Sequence, residues 1–190
     1  GYSYLVTDGD REYVLKQIDD AVRDVWGTDI ASDYQHCWIW TEDSLKNAMY
    51  HHLRDRLMAM MEQYDVRIFT EFTGDVFGEN YKRPDMVIAE IEYDDTGAYS
   101  VKECLCVIEL KYKVGFHSHY AVLDDYKKLR YYYEDLKVDC PMYMATIWEY
   151  EDNETTWVRK NAAWAKDRVT ELNASYDRES KEMRFYIGEH

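Results

Sequence analysis

Asp85, Glu109 and Lys111 are the residues of this 190-residue chain whose types and spacing could do chemistry together. They sit in two apolar runs, Arg83-Pro84-Asp85-Met86-Val87-Ile88 and Val107-Ile108-Glu109-Leu110-Lys111. Side chains alternate faces along a strand, so Glu109 and Lys111 share one face, and Ile108 and Leu110 the other. Burying a carboxylate or an amine is costly unless it is paired or bound to a metal. Asp85 opens the neighbouring run. If the two runs pair as adjacent strands, its carboxylate reaches Glu109 near one strand end. Two close carboxylates repel each other, and a divalent cation removes the repulsion. Hard oxygen ligands of this kind suit Mg2+ or Mn2+.

The elements that must position these residues can be read from periodicity and turn signals. A polar helix is expected near 9–26, capped by Asp8 or Asp10 and ended by Gly27. Residues 28–40, with Trp38, Ile39 and Trp40, are expected to pack. Thr41 is a good N-cap, and Leu45, Met49, Leu53, Leu57, Met60 and Tyr64 follow at helical steps, which predicts a helix to about residue 63. A strand around Val66 and Ile68 comes next. Gly74, Gly78 and Asn80 then mark a loop, and Met86-Val87-Ile88 a second strand. Asp94-Asp95-Thr96-Gly97 is a turn, and a third strand covers about 104–113. A helix follows at about 120–137, with Val122, Tyr126, Leu129, Tyr133 and Leu136 as its apolar stripe. The strand after it, 142–150, arrives by a helical crossover and could pair in parallel. A shorter helix near 156–172 and a strand near 182–187 complete the pattern. The expected fold is α/β: a single domain over 1–190, with a mixed central sheet of four or more strands flanked by helices.

With Pro84-Asp85 and Glu109-Leu110-Lys111 on successive strands, the sequence resembles the PD-(D/E)xK nuclease superfamily, whose fold is restriction-endonuclease-like. That family runs helix, three-stranded meander, helix, strand, the order read above for residues 41–150. The N-terminal helical segment and the C-terminal helix and strand are then additions to a nuclease-like core. The resemblance implies a metal-dependent nuclease acting on DNA, more readily than on RNA. Asp85 and Glu109 would hold Mg2+ or Mn2+, with the backbone carbonyl of Leu110 as a further ligand. Lys111 would position the attacking water. A bound metal lowers the pKa of that water and stabilises the charge that develops on phosphorus.

Family members often add an acid from the first helix. Glu42 is the candidate, because at about 100° per residue it falls within roughly 20° of Met49 and Leu53. Glu71, from the first strand, competes for the same role. In the second helix Asp125 and Lys128 lie three apart, off the apolar stripe. They are either accessory site residues or an ordinary surface ion pair. His117-Ser118-His119 reads as polar loop before it reads as a metal pair. Tyr131-Tyr132-Tyr133 cannot all face the core, and an exposed member could stack on a base or a partner protein.

Composition limits the classes. Apolar residues make up 46% and charged residues 32%, so the chain reads as globular rather than disordered. No run is long and apolar enough for a membrane span, and no secretory leader pattern opens the sequence. Cys37, Cys104, Cys106 and Cys140 include no C-x-x-C pair, which favours reduced, buried thiols over zinc and places the chain in the cytoplasm. A net charge of −15 repels phosphate, so a nucleic-acid partner needs a local basic surface. Lys111, Lys113, Lys127, Lys128 and Arg130 outnumber Asp124 and Asp125 between 111 and 130 and could form one. The alternative is a catalytically weak or inactive module on the same fold that binds a protein partner or a second copy of itself.

Overall fold

In the computed structural model, residues 8–74, 77, 83–113, 119–149, 157–159 and 161–190 are described. The order is α1 (Asp8–Asp24), a π-helical turn (Val25–Ile30), α2 (Ala31–Gln35), α3 (Glu42–Tyr64), β1 (Val66–Thr70), β2 (Met86–Tyr93), β3 (Tyr99–Lys113), α4 (His119–Glu134), β4 (Met142–Trp148), β5 (Val169–Asp177) and β6 (Glu182–Glu189). The six strands form one sheet in sequence order. Strands β1, β2 and β3 make an antiparallel meander, β3–β4 and β4–β5 pair in parallel, and β6 closes antiparallel on β5. The helix, meander, helix, strand order expected over 41–150 is present, and the chain is α/β with a mixed sheet.

The long first helix does not stop at Gly27. Its helical path continues through the π turn into α2. The extra residue per turn in a π segment re-phases the helix. Val22, Val25, Trp26 and Ile30 all end up fully buried, and the Trp26 indole N–H donates to the Asn173 carbonyl at 2.9 Å. Burial of that stripe overrides the stop signal.

Helix α3 starts where the sequence places it. The Thr41 hydroxyl accepts from the Ser44 N–H at 3.0 Å, and Ser44 Oγ accepts from the Thr41 N–H at 2.8 Å, a reciprocal capping box. Leu45, Met49, Leu53 and Leu57 pack with α1 against one face of the sheet, on Ile88, Ile108 and Leu110. Helix α4 covers the opposite face through Val122, Tyr126, Leu129 and Tyr132, on Val107, Met142 and Met144. The second helix therefore turns Tyr132, not Tyr133, into the core. Tyr133 instead lies under the Arg168 guanidinium, 3.4 Å from its ring centroid. The β2–β3 turn is held by Asp94, whose Oδ1 accepts from the Thr96 and Ala98 N–H groups, and Gly97 supplies the φ of +84° that the turn requires.

Other expectations fail as well. Residues 161–168 are turns, and 169–177 is strand β5, so the helix expected near 156–172 is not formed. The reason is burial on both faces. Leu172 and Ala174 meet one helical layer while Val169 and Glu171 face the other, and a helix of that length cannot bury both sets against a sheet. The packing expected of 28–40 also holds only in part. Ile39 is buried, but Trp38 and Trp40 are 74% and 81% exposed. Of the four cysteines, Cys104, Cys106 and Cys140 are buried free thiols, whereas Cys37 is exposed.

Candidate metal centre

The β2–β3 ladder reaches Met86↔Ile108 at one end, and Asp85 lies just outside it. Leu110 is two residues beyond that last pair, so its N–H has no partner on β2. The Asp85 carboxylate takes the place of one: Oδ2 accepts from Leu110 N–H at 2.8 Å. In an extended strand the N–H and C=O of one residue point to the same edge, so the Leu110 carbonyl also lies on the Asp85 side. The sharp bend at Glu71 (φ +49°), whose N–H donates to the Asp85 carbonyl at 3.0 Å, fixes the approach of this segment from the other side.

Glu109 is completely buried beneath α4. Its Oε2 accepts from Lys128 Nζ at 3.1 Å, and its Oε1 lies 3.5 Å from the Tyr132 hydroxyl. Lys128 Nζ also donates to the Arg83 carbonyl at 2.9 Å, so this amine ties α4 to the segment that delivers Asp85. Two residues along β3, Lys111 Nζ lies 3.2 Å from Asp125 Oδ2 and 3.5 Å from Glu42 Oε1. Carboxylate oxygens of Asp85, Glu109 and Asp125 fall within 4.8 Å of one another, the only such acidic group among the described residues.

Electrostatics follow from this crowding. Burial, then the negative charge of Asp85, holds the Glu109 carboxyl well above the ordinary carboxylate range, against the pull of Lys128. Burial pushes Asp125 up to about 6, with Lys111 and Lys128 opposing. Burial is also the largest influence on the two lysines and works against their charge. It is outweighed by Asp125 and Glu42 at Lys111, and by Glu109 and Asp85 at Lys128, so both amines are held above their usual range. Burial and mutual repulsion thus outweigh the two ammonium groups beside the carboxylates. Three converging carboxylates make an all-oxygen donor set of the kind that fits Mg2+ or Mn2+.

The sequence candidates divide accordingly. Asp85, Glu109 and Lys111 come together as expected. Asp125 and Lys128 are not a surface pair: Asp125 is buried and both face the strand that carries Glu109 and Lys111. Glu42 reaches Lys111 but is half-buried rather than part of the buried α3 stripe. Glu71 lies beyond the end of β1, and its carboxylate pairs with Lys46 at 2.9 Å instead of joining the acidic group. Its backbone, not its side chain, serves the site. Of the basic residues between 111 and 130, Lys111 and Lys128 are committed to carboxylates, while Lys127 and Arg130 are exposed. His117, Ser118 and the His119 side chain lie outside the described residues, as do Gly78, Asn80 and the side chain of Lys113.

Two residues were not singled out from the sequence. Tyr132 was hidden inside a run of three tyrosines, and only the phase of α4 reveals which one points at Glu109. Glu171 is a second fully buried carboxylate on the same sheet face, two strands away in the row Glu109↔Met144↔Glu171. It accepts from the Tyr126 hydroxyl at 2.8 Å and the Trp157 N–H at 2.7 Å, with His190 Nε2 at 2.6 Å. Three donors take up its oxygens and it lies outside the acidic group, so it reads as structural.

Among the described residues no helix is long and apolar enough to cross a membrane. Comparison of the chain with protein-family models, with curated proteins and with solved structures gives no match.

Proposed function

We propose that this chain is a Mg2+- or Mn2+-dependent nuclease of the PD-(D/E)xK type, with a restriction-endonuclease-like core over about 41–150. The observation that carries the reading is the convergence of Asp85, Glu109 and Asp125 beside Lys111. Asp85 immediately precedes β2, Glu109 lies on β3 and Asp125 on the crossover helix, so the three depend on the whole core and not on a local motif. Asp85, Glu109 and Asp125 would hold the cation, with the Leu110 carbonyl facing the same edge. The cation would lower the pKa of a water and offset charge on the phosphate.

The remaining residues have assignable tasks. Lys111, held protonated by Asp125 and Glu42, would orient the attacking water and donate to a phosphate oxygen as negative charge grows there. Glu42 keeps that amine aimed across the mouth of the site. Lys128 and Tyr132 fix the Glu109 carboxylate from behind, and Lys128 keeps α4 docked on the Asp85 segment.

The test is cleavage of plasmid and of single-stranded DNA and RNA with added Mn2+, comparing the parent with Lys111→Ala. Cleavage that needs Mn2+ and falls at least a hundredfold in the variant supports the reading. Equal cleavage by both, or none in either, overturns it. The net charge of −15 favours a second reading, a protein-binding module on the same fold. Such a module predicts a centre that does not take up Mn2+.

A further inference from the structure

The two most exposed large apolar side chains among the described residues lie close together in the chain, just before Glu42. Trp38 is 74% and Trp40 81% exposed, while Ile39 between them is buried at 4%. This alternation is what an extended segment gives when one face packs and the other faces water. The segment is tied at both ends. Trp38 N–H donates to the Asp33 carbonyl at 2.9 Å, and Trp40 N–H donates to Ser44 Oγ at 2.9 Å. Ser44 is the residue that caps α3 with Thr41, so the rigid start of that helix carries both Trp40 and, two residues on, Glu42. Two residues of chain span at most about 7 Å. Trp38 is four residues from Glu42, at most about 14 Å of chain, and Glu42 Oε1 is 3.5 Å from Lys111 Nζ, so the segment that carries both indoles leads directly into a residue of the acidic centre.

Exposed indoles on an ordered hook present flat apolar faces, and the proximity of a phosphodiester site points to the bases of its substrate. Electrostatics supply little affinity here. The net charge is −15, and both amines at the centre, Lys111 and Lys128, already face carboxylates. Base stacking on an aromatic ring needs no positive charge and tolerates any sequence. It does need a free base face, which a duplex withholds because its bases are already stacked on one another.

We infer that Trp38 and Trp40 form a base-stacking platform that selects single-stranded nucleic acid and feeds its backbone towards Asp85, Glu109 and Lys111. The inference rests on the nuclease reading and names the substrate class for that site. Affinity would come from bases more than from phosphates, so its dependence on salt should be shallow for a nucleic-acid binder.

The experiment measures fluorescence anisotropy of three labelled probes of equal length: a single-stranded oligothymidylate, a duplex, and an abasic deoxyribose-phosphate strand. Binding is read with Mn2+ in a Lys111→Ala background to suppress cleavage, and cleavage is read separately in the parent. Single strand is expected to bind at least tenfold more tightly than either other probe. Trp38→Ala with Trp40→Ala should weaken single-strand binding by about ten- to a hundredfold, while Trp38→Phe with Trp40→Phe retains most of it. Both indoles are exposed, so the melting temperature should not move, which separates loss of stacking from loss of fold.

Equal binding of the abasic strand, or an alanine double variant that binds like its parent, overturns the platform. So does a double variant whose only change is loss of a self-associated dimer in size-exclusion chromatography, since the indoles would then serve a second copy of the chain. Mn2+-dependent cleavage indifferent to the two tryptophans would remove the platform and leave the nuclease. Tryptophan-dependent single-strand binding without any cleavage would do the reverse.

Discussion

The Asp85 carboxylate accepts the backbone N–H of Leu110 at 2.8 Å, taking the place of the strand partner that β2 no longer provides. One residue thus ends a ladder and offers a carboxylate to the acidic centre. The two roles can be separated. Asp85→Asn keeps an acceptor for Leu110 and should lower stability by less than about 1 kcal/mol, but remove most Mn2+ affinity. Asp85→Ala also strands the N–H, which costs roughly 1–3 kcal/mol more. Urea unfolding of the two variants, with and without Mn2+, checks the difference.

Lys128 holds Glu109 and the Arg83 carbonyl at once. Removing one member of a largely buried pair leaves the other without compensation, a loss of about 2–4 kcal/mol at this partly screened site. Lys128→Met should show that loss in denaturant unfolding. Adding Glu109→Gln should recover part of it, since the amide needs no counter-charge. A double variant no more stable than Lys128→Met alone would contradict the pairing.

The metal-free protein should lose stability as pH rises from about 4 to 6. Asp125 is pushed up to about 6 in the fold against an unfolded value near 3.9, so the folded state binds the extra proton across that window. The sign is fixed by that direction: stability contributed by the protonated carboxyl is present at low pH and gone above about 6. The step is on the order of 3 kcal/mol at most, from about two pH units at 1.36 kcal/mol each. Glu109, shifted in the same direction by burial, adds to the decline. Melting temperature against pH should show this slope in chelator and a reduced slope in Mn2+. Asp125→Asn should flatten it in chelator.

The α3 cap is coupled to the site through Glu42. Ser44→Ala removes acceptors for the Thr41 and Trp40 N–H groups and should destabilise the protein by about 1 kcal/mol. Because Glu42 follows the cap directly, a larger fractional loss of Mn2+-dependent activity than of stability is expected. Thermal melts and cleavage rates measured on the same preparation compare the two.

Much of this was written locally in the chain. Thr41 and the apolar steps after it define α3, the Asp94–Gly97 turn defines the hairpin, and the alternation around Glu109 puts that residue and Lys111 on one face. What was not legible depends on which surfaces are covered. The Gly27 stop signal is outweighed by burial of Trp26 and Ile30, and the 161–177 region is strand and turn because layers lie on both sides of β5. For Asp125 and Lys128 the sequence left open an accessory role or a surface pair, because their partners, Lys111 and Glu109, are far away in sequence. Their membership in the site is a property of how α4 docks. Trp38 and Trp40 were expected to pack with the rest of 28–40, and an outward-facing pair of indoles has no sequence signature.

Titration calorimetry of the metal-free protein with Mn2+, alongside Glu109→Ala, tests the acidic centre most directly. The expected result is one Mn2+ per chain in the parent, with binding lost or weakened at least tenfold in the variant. A parent that takes up no Mn2+, or a variant that binds it equally well, would contradict the assignment of Asp85, Glu109 and Asp125 as its ligands.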